Sequence, residues 1–217
     1  MKNNKHGILA LAEDSTHYYL ERIHALHQQK YGKGACPSFT TIETNFPIIN
    51  QFLPDQFEKL VPIMKSYLAQ ASLAGIRKLL LPNITLHETI DKINHGLEIA
   101  HPITACLKVL KSRSINEVII FGSLYTMTSP YFSQALEHQN IQVIKLPSLD
   151  ANRVDSFRKL VYAHQATDQD IRYFQQLLDM YSHQTSVLIA CSELSQYASA
   201  NSVNIIDLAD LQILSMF

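Results

Sequence analysis

The sequence predicts an α/β fold of two similar doubly wound parallel-sheet lobes related by pseudo-two-fold symmetry. Strand-like apolar runs alternate with stretches of helical periodicity along the 217 residues. The strongest runs also recur in pairs separated by about 70 residues, a length suited to one small doubly wound unit. A chain of this length can bury a substantial core as one large or two small domains.

The local patterns place the elements in order. Apolar runs bounded by polar or turn residues predict buried parallel strands at 7–11, 77–81, 117–121 and 186–190, and weaker strands at 38–42, 142–146 and 203–207. Helical periodicity predicts helices at about 15–29, 55–74, 86–95, 102–112, 129–138, 151–164, 168–182 and 193–199. We expect a first lobe of 1–98 plus 203–217, because the last strand should return to it, and a second lobe of 101–200.

Ligands of open α/β sheets bind beyond the carboxyl ends of the strands, so two facing lobes would form an active-site cleft. The loops expected around it are 12–17, 82–87, 122–127 and 191–194. Their hydroxyls could bind a small carboxylate beside helix N-termini, or each could simply cap its own helix. These residues are Ser15, Thr16, Thr85, Ser123, Thr126 and Ser192.

Cys191 is the leading candidate for a reactive atom. It ends the apolar run V-L-I-A-C and is followed at once by Ser192 and Glu193. A strand end that meets a helix N-terminus is a place where backbone N–H groups and the helix dipole lower the pKa of a thiol. The alternative is a small buried hydrophobic residue at a strand end, the commoner fate of a free cysteine.

Composition excludes several classes of partner. Eighteen Lys and Arg nearly balance nineteen Asp and Glu, which argues against nucleic acid or an anionic membrane surface as the partner. No segment has the length of a membrane span. The three cysteines, Cys36, Cys106 and Cys191, fit neither a disulfide framework nor a zinc knuckle, so we expect a reducing, cytoplasmic location.

No cofactor or metal is expected either. The chain has six glycines and lacks both G-x-G-x-x-G and G-x-x-x-x-G-K-[ST], so neither a dinucleotide nor a nucleoside triphosphate is favoured. The ten histidines include no H-x-x-x-H on a plausible metal-binding face. A small neutral or anionic metabolite is the remaining class of ligand.

An ordered set of motifs resembles the cofactor-independent aspartate/glutamate racemases. The motifs are P-N-I-T-L-H at 82–87, G-S-L-Y-T-M at 122–127, A-C-S-E-L at 190–194, G-I-L…D-S-T at 7–16 and I-I-D at 205–207. In that family the corresponding motifs are P-C-N-T-x-H, G-T-x-x-T-M and G-C-T-E-[IL]. The resemblance spans nearly the whole chain and implies a homodimer that binds a small dicarboxylic amino acid.

The resemblance implies a mechanism without pyridoxal phosphate. One thiolate removes the α-proton of the substrate and a second thiol delivers a proton to the opposite face. It also implies that Cys191 is catalytic and that Asn83, Thr85, Ser123, Thr126 and Ser192 contact the substrate.

This chain departs from the family pattern at several positions. Asn83 stands in place of the first cysteine and Ile84 in place of a carboxylate-binding asparagine, while A-L-A at 10–12 replaces a glycine-rich loop. A carboxamide cannot take up a proton near neutral pH, so racemisation by two thiols is excluded.

Three functions therefore stay open. The first is an isomerase, an amino-acid racemase or epimerase in which Cys191 works with another group such as Thr85, His87 or a water held by Asn83. The second is a decarboxylase or isomerase that needs the single thiol alone. The third is a non-catalytic protein that keeps the fold to bind a ligand.

Overall fold

The computed structural model describes residues 5–198 and 202–217, which form two compact units. The first unit comprises the chain up to Pro102 together with Asp210–Phe217, and the second comprises Ile103–Ala209. The first lobe was predicted as 1–98 plus 203–217. Residues 1–4 of that prediction lie outside the described part.

Each unit contains one four-stranded parallel sheet. The first sheet has the order β2-β1-β3-β4, from β1 (Lys5–Ala10), β2 (Phe39–Glu43), β3 (Ile76–Leu80) and β4 (Glu98–Ile99). The second has the order β6-β5-β7-β8, from β5 (Glu117–Phe121), β6 (Gln142–Ile144), β7 (Ser186–Ile189) and β8 (Ile205–Asp207). The identical order of the strands confirms the predicted fold of two similar α/β lobes.

Helices connect and flank the strands. They are α1 (Glu13–Tyr31), α2 (Phe46–Asn50), α3 (Phe57–Leu73), α4 (His87–Ile90), α5 (Pro102–Ser112), α6 (Leu124–Thr128), α7 (Pro130–Glu137), α8 (Ser148–Tyr162), α9 (Asp168–Ser182), α10 (Ser192–Ser195) and α11 (Leu208–Leu214). Several of these helices are amphipathic, with apolar residues on the buried face and polar residues on the exposed face. In α9, for example, Phe174, Leu178 and Tyr181 are buried while Asp168 and Asp170 occupy the first turn.

Each unit has its own hydrophobic core against its sheet. In the first unit Leu9 and Leu79 of the sheet, and Leu81 just after β3, pack with residues of α3 such as Leu60 and Met64. In the second unit the strand residues Ile119, Phe121, Val187 and Ile189 pack with apolar residues of α8 and α9, namely Val154, Phe157, Phe174 and Leu178. Strands that are covered on both faces are apolar at successive positions, which explains why the hydrophobic pattern of these strands is continuous rather than alternating.

The structure corrects the predicted course of the chain after residue 203. Strand β8 pairs with β7, with Val187 opposite Ile205 and Ile189 opposite Asp207, so the strand belongs to the second sheet. Pairing there satisfies the backbone groups on the free edge of β7. The part of the segment that does group with the first unit is Asp210–Phe217.

Several element boundaries also differ from the predictions. The helix predicted at 86–95 is the short α4, which is followed by turns before Gly96. The helices α2, α6 and α11 and the two-residue strand β4 were not predicted, because each is too short to show a clear period. The helix predicted at 193–199 is the four-residue α10, and residues 199–201 lie outside the described part.

Candidate functional site

Polar residues follow the two central strands of the second sheet. The strand order reverses between β5 and β7, and ligands of doubly wound sheets bind at such a switch point, beyond the carboxyl ends of the strands. The β5 loop carries Ser123 and Thr126, and the β7 loop carries Cys191 and Ser192. The loops start side by side, because Ala190 N–H donates a 2.7 Å hydrogen bond to the carbonyl of Phe121.

Cys191 is paired with a carboxylate. The residue has extended backbone angles at the N-cap of α10 and is half-buried. Its thiol donates to Glu193 Oε2 over 2.8 Å, and the Ser192 hydroxyl donates to the same oxygen over 3.2 Å. A thiol and a proton acceptor are therefore in direct contact at the end of β7.

The surroundings of Cys191 raise the pKa of its thiol well above the usual value. Burial is the main cause, followed by the negative charge of Glu193 and the hydrogen bond to it, while the Arg158 guanidinium acts in the opposite direction. We expected a helix N-terminus to lower this pKa, and that expectation is wrong. Helix α10 has four residues and a correspondingly small dipole, so burial and Glu193 dominate.

The loop after β5 is built as a helix cap. Ser123 Oγ accepts a 3.1 Å hydrogen bond from Thr126 N–H and lies 2.9 Å from Thr126 Oγ1. Thr126 is buried, and Gly122 leaves little room for a side chain, since an added Cβ would lie 3.2 Å from Thr126 Cβ and 3.3 Å from the Ala190 carbonyl. Ser123 is therefore the N-cap of α6, the capping role that we considered for this hydroxyl.

Helix α8 holds the start of α6 and contributes three charged residues beside it. The buried Asp155 accepts hydrogen bonds from Leu124 N–H at 3.1 Å and from Arg158 Nε at 2.9 Å. Lys159 Nζ lies 2.7 Å from the second Asp155 oxygen. Burial acts to raise the pKa of Asp155, but the hydrogen bonds from Lys159, Leu124 and Arg158 outweigh it and the pKa is lowered.

The corresponding loop of the first unit contains Asn83 and Thr85, which follow β3. Asn83 Oδ1 accepts a 3.0 Å hydrogen bond from Leu86 N–H, so the carboxamide caps the turn that leads into α4. Both residues are half-buried. Within residues 5–198 and 202–217 the Thr85 hydroxyl has no hydrogen-bond partner.

His87, which we considered as a second acid/base, lies in a buried network. Its Nε2 is 3.2 Å from Gln212 Nε2, and Gln212 accepts from Tyr19 and donates to the carbonyls of Leu81 and Ala100. Burial, followed by the charge of the neighbouring His101, lowers the pKa of His87 to about 3. A fully buried imidazole that stays neutral does not fit the acid/base role.

The sequence did not single out Glu193, Asp155 or Arg158 as site residues. A signal was present in each case. Glu193 stands two residues after Cys191, and Asp155, Arg158 and Lys159 have the i, i+3 and i, i+4 spacings that bring charges together on a helix. What was missing was the placement of α8 beside the loops that follow β5 and β7.

Three further features of the described residues bear on function. A groove of about 850 Å³ lies between α8 and α9, is lined by residues such as Leu149, Tyr173 and Met180, and contains none of the predicted site residues. In the described ranges no three His, Cys, Asp or Glu residues are grouped as a metal site would require. No helix within those same ranges is long and apolar enough to cross a bilayer.

Comparison with known proteins identifies the fold. No protein-family model matches the sequence, and no curated protein matches it. Among solved structures it is similar to an aspartate racemase homologue from Pyrococcus horikoshii OT3, with 19% identity, a TM-score of 0.85 and coverage of 98% of this chain and 97% of that one. A candidate Asp/Glu racemase from Yersinia pestis gives 18% identity and a TM-score of 0.84 over 98% and 96% of the two chains.

A third structure, an aspartate racemase from Picrophilus torridus, gives 15% identity and a TM-score of 0.78 over 98% of this chain and 91% of that one. The protein therefore has the two-lobed α/β fold of the aspartate and glutamate racemases.

Proposed function

We propose that the chain is a member of the aspartate/glutamate racemase family that acts on aspartate, glutamate or a related small acid without a cofactor. Cys191 is the proposed acid/base. The observation that carries the proposal is the 2.8 Å hydrogen bond from the Cys191 thiol to Glu193 at the switch point of the second sheet. The shared fold and the ordered motifs around Asn83, Ser123 and Cys191 support it.

The proposed reaction begins with the Cys191 thiol. The Cys191 thiol passes its proton to Glu193, and the thiolate then takes the α-proton of the amino acid, forming an S–H bond as the C–H bond breaks. The electron pair is left on Cα and delocalises into the α-carboxylate. For inversion, a water on the opposite face gives a proton to Cα, and the hydroxide that is left takes the proton held by Glu193, which restores the carboxylate beside the protonated thiol. Return of the Cys191 proton to the same face, after its exchange with solvent, gives exchange without inversion, and the thiolate then regains the proton held by Glu193.

The remaining site residues are proposed as substrate contacts. They are Asn83, Thr85, Ser123, Thr126 and Ser192, and the resemblance to the family supports this role for each. By the same analogy we propose a homodimer. Three cysteines outside any disulfide fit a cytoplasmic location.

Proton exchange at Cα tests the function. The protein would be incubated in D₂O with L- and D-aspartate and with L- and D-glutamate, followed by NMR for deuterium at Cα and by chiral chromatography. We expect deuterium incorporation that depends on Cys191, with inversion of at least one acid. A Cys191→Ser variant is the control, and exchange as fast in it as in the wild-type protein would reject the proposed role of the thiol.

The raised pKa of Cys191 favours a second candidate function. A thiol that keeps its proton at neutral pH is better suited to protonate a carbanion than to generate one. That is the role of the single thiol in a decarboxylase of substituted malonates. Loss of carbon dioxide from a malonate, without α-proton exchange of amino acids, would identify this function, and inactivity towards both substrates would favour a ligand-binding protein.

A further inference from the structure

The guanidinium of Arg158 is fixed along one edge. Its Nε–H donates to Asp155 Oδ1 at 2.9 Å, and the Arg158 side chain is 20% exposed. Asp155 is itself held by Leu124 N–H and by Lys159. A buried carboxylate with three donors has little freedom to move, so the guanidinium plane that it binds is preorganised.

The other edge of the guanidinium has donors that no described residue occupies. The hydrogen bond to Asp155 uses Nε, and Arg158 Nη1 and Nη2 donate no hydrogen bond to any residue of 5–198 or 202–217. One carboxylate, Asp155, also faces two cations, Arg158 and Lys159, which leaves a net positive charge around it. A planar pair of free N–H donors with residual positive charge matches the two oxygens of a carboxylate.

Arg158 lies on a helix that packs beside the thiol. Helix α8 packs against both α10 and α6, the two short helices that follow β7 and β5. The charge of Arg158 acts on Cys191, where it favours the thiolate. An anionic substrate beside Glu193 would be repelled unless a cation offset that charge, and Arg158 is placed to do so.

We propose that Arg158, held by Asp155, binds a carboxylate group of the substrate beside Cys191 through its two terminal nitrogens. The inference deepens the proposed function, on which it rests for the identity of the substrate as a small acid. Neither the motifs nor the resemblance assigns a role to this arginine. It makes Arg158 a binding residue of the second unit, separate from the thiol that carries the proton.

Protection of Cys191 from alkylation tests this binding directly. Iodoacetamide labelling of Cys191 would be followed by peptide mass spectrometry in the presence of increasing succinate, L-aspartate or D-aspartate, with uncharged succinamide as the control compound. Arg158→Met and Arg158→Lys would be compared with Arg153→Met. Arg153 is the matched control, because it lies on the same helix, is 60% exposed and pairs with Asp150.

We expect Arg158→Met to weaken protection by the carboxylates at least tenfold, Arg158→Lys to weaken it less, and Arg153→Met to leave it unchanged. Succinamide should protect none of the proteins. Equal protection of wild type and Arg158→Met, or no protection of the wild-type protein by any of the three acids, would overturn the proposal. Circular dichroism would confirm that each variant is folded.

The labelling experiment does not require turnover, so failure of the Arg158 proposal and failure of the proposed function can be told apart. If the wild-type protein is protected through Arg158 but exchanges no α-proton, the carboxylate site stands and the racemase proposal fails. If exchange occurs and is unaffected by Arg158→Met, the proposed function stands and the role of Arg158 fails.

Discussion

Glu193 controls how readily the Cys191 thiol loses its proton. Its carboxylate accepts the thiol hydrogen at 2.8 Å and, after burial, is the main cause of the raised pKa of Cys191. The same carboxylate is the nearest group in the site that can receive the proton. In the mechanism proposed above, Glu193 therefore has two effects: it stabilises the protonated thiol in the resting protein and it accepts the proton when the thiolate forms.

Replacing Glu193 by Gln should separate these two effects. Removing the negative charge lowers the pKa of Cys191, and each unit of lowering raises the thiolate fraction and the alkylation rate about tenfold when the pKa is well above the pH. Exchange of the substrate α-proton should nevertheless fall, by about 10²–10⁴-fold if Glu193 acts as the acceptor. Iodoacetamide labelling and NMR exchange at pH 7 measure the two effects.

The exposed Cys36 is an internal reference for that measurement, because its labelling rate should be the same in both proteins. In the wild-type protein we expect Cys36 to react faster than Cys191, which reverses the order that a lowered pKa would give. Cys106, buried and with its pKa raised to about 12 by burial, should be the slowest. Faster labelling of Cys191 in Glu193→Gln without any loss of exchange would show that Glu193 is not the proton acceptor.

Asn83 offers a second test at the level of single residues. The change Asn83→Cys with Ile84→Asn restores the family's cysteine and asparagine, and we expect racemisation of aspartate or glutamate to rise by about 10²–10⁴-fold, the usual contribution of an acid/base group. The thiol is a poorer acceptor for Leu86 N–H, so the double variant should lose about 1 kcal/mol of stability. Chiral chromatography measures the first effect and urea unfolding the second.

Asn83→Ser with Ile84→Asn is the control, since it retains a cap for Leu86 N–H but supplies no thiol. If the folded Cys variant is no faster than the Ser variant, the missing cysteine is not the main departure from the family. The altered 10–12 loop or a different ligand would then be the explanation.

At the scale of elements, the sequence pattern was sufficient where a strand or helix is long and buried. The runs at 117–121 and 186–190 correspond to β5 and β7 within one residue, because strands covered on both faces are continuously apolar. The short elements escaped prediction, as did the charged pair Asp155 and Arg158, whose importance depends on which loops α8 contacts. Periodicity identifies a buried face but not the neighbour on the other side of it.

The loop after β5 depends on glycine at position 122. We expect Gly122→Ala to destabilise the protein by about 1–3 kcal/mol, since the added methyl group would press on Thr126 and on the backbone carbonyl of Ala190, neither of which can move easily. Urea unfolding followed by circular dichroism measures the change. Gly96→Ala is the control, because a Cβ there meets no atom within 4 Å; an equal loss in both variants would contradict the predicted crowding.

At the scale of the whole molecule, the division into two similar parallel-sheet units was predictable from the paired runs, but the point at which the chain returns to the first unit was not. The pattern at 203–207 is that of a strand and does not say which sheet accepts it. The segment that does group with the first unit begins at Asp210 and carries Gln212 into the core. Nothing in the sequence indicates that Gln212, a polar residue in the final helix, donates hydrogen bonds to two backbone carbonyls and accepts one from a tyrosine.

The buried His87 in that network should make the protein sensitive to acid. Its pKa is lowered to about 3 in the folded state by burial and by the charge of His101, against the attraction of Asp91 and the hydrogen bond to Leu81, whereas the unfolded chain titrates near 6.5. Below pH 6.5 the His87 imidazole is therefore protonated in the unfolded state, whereas in the folded state it stays neutral until about pH 3. This group favours unfolding increasingly as the pH falls through that window, with a slope approaching about 1.4 kcal/mol per pH unit.

Urea unfolding of the wild-type protein and of His87→Gln between pH 7 and pH 4 would measure this contribution. We expect the variant to be less stable at pH 7, because the imidazole packs against His101 and lies beside Gln212, but to lose less stability as the pH falls. His17→Gln is the matched control, since His17 is 72% exposed and its removal should leave the slope nearly unchanged. An equally steep loss of stability in wild type and His87→Gln would show that other groups, such as His101 or the carboxylates, account for the acid sensitivity.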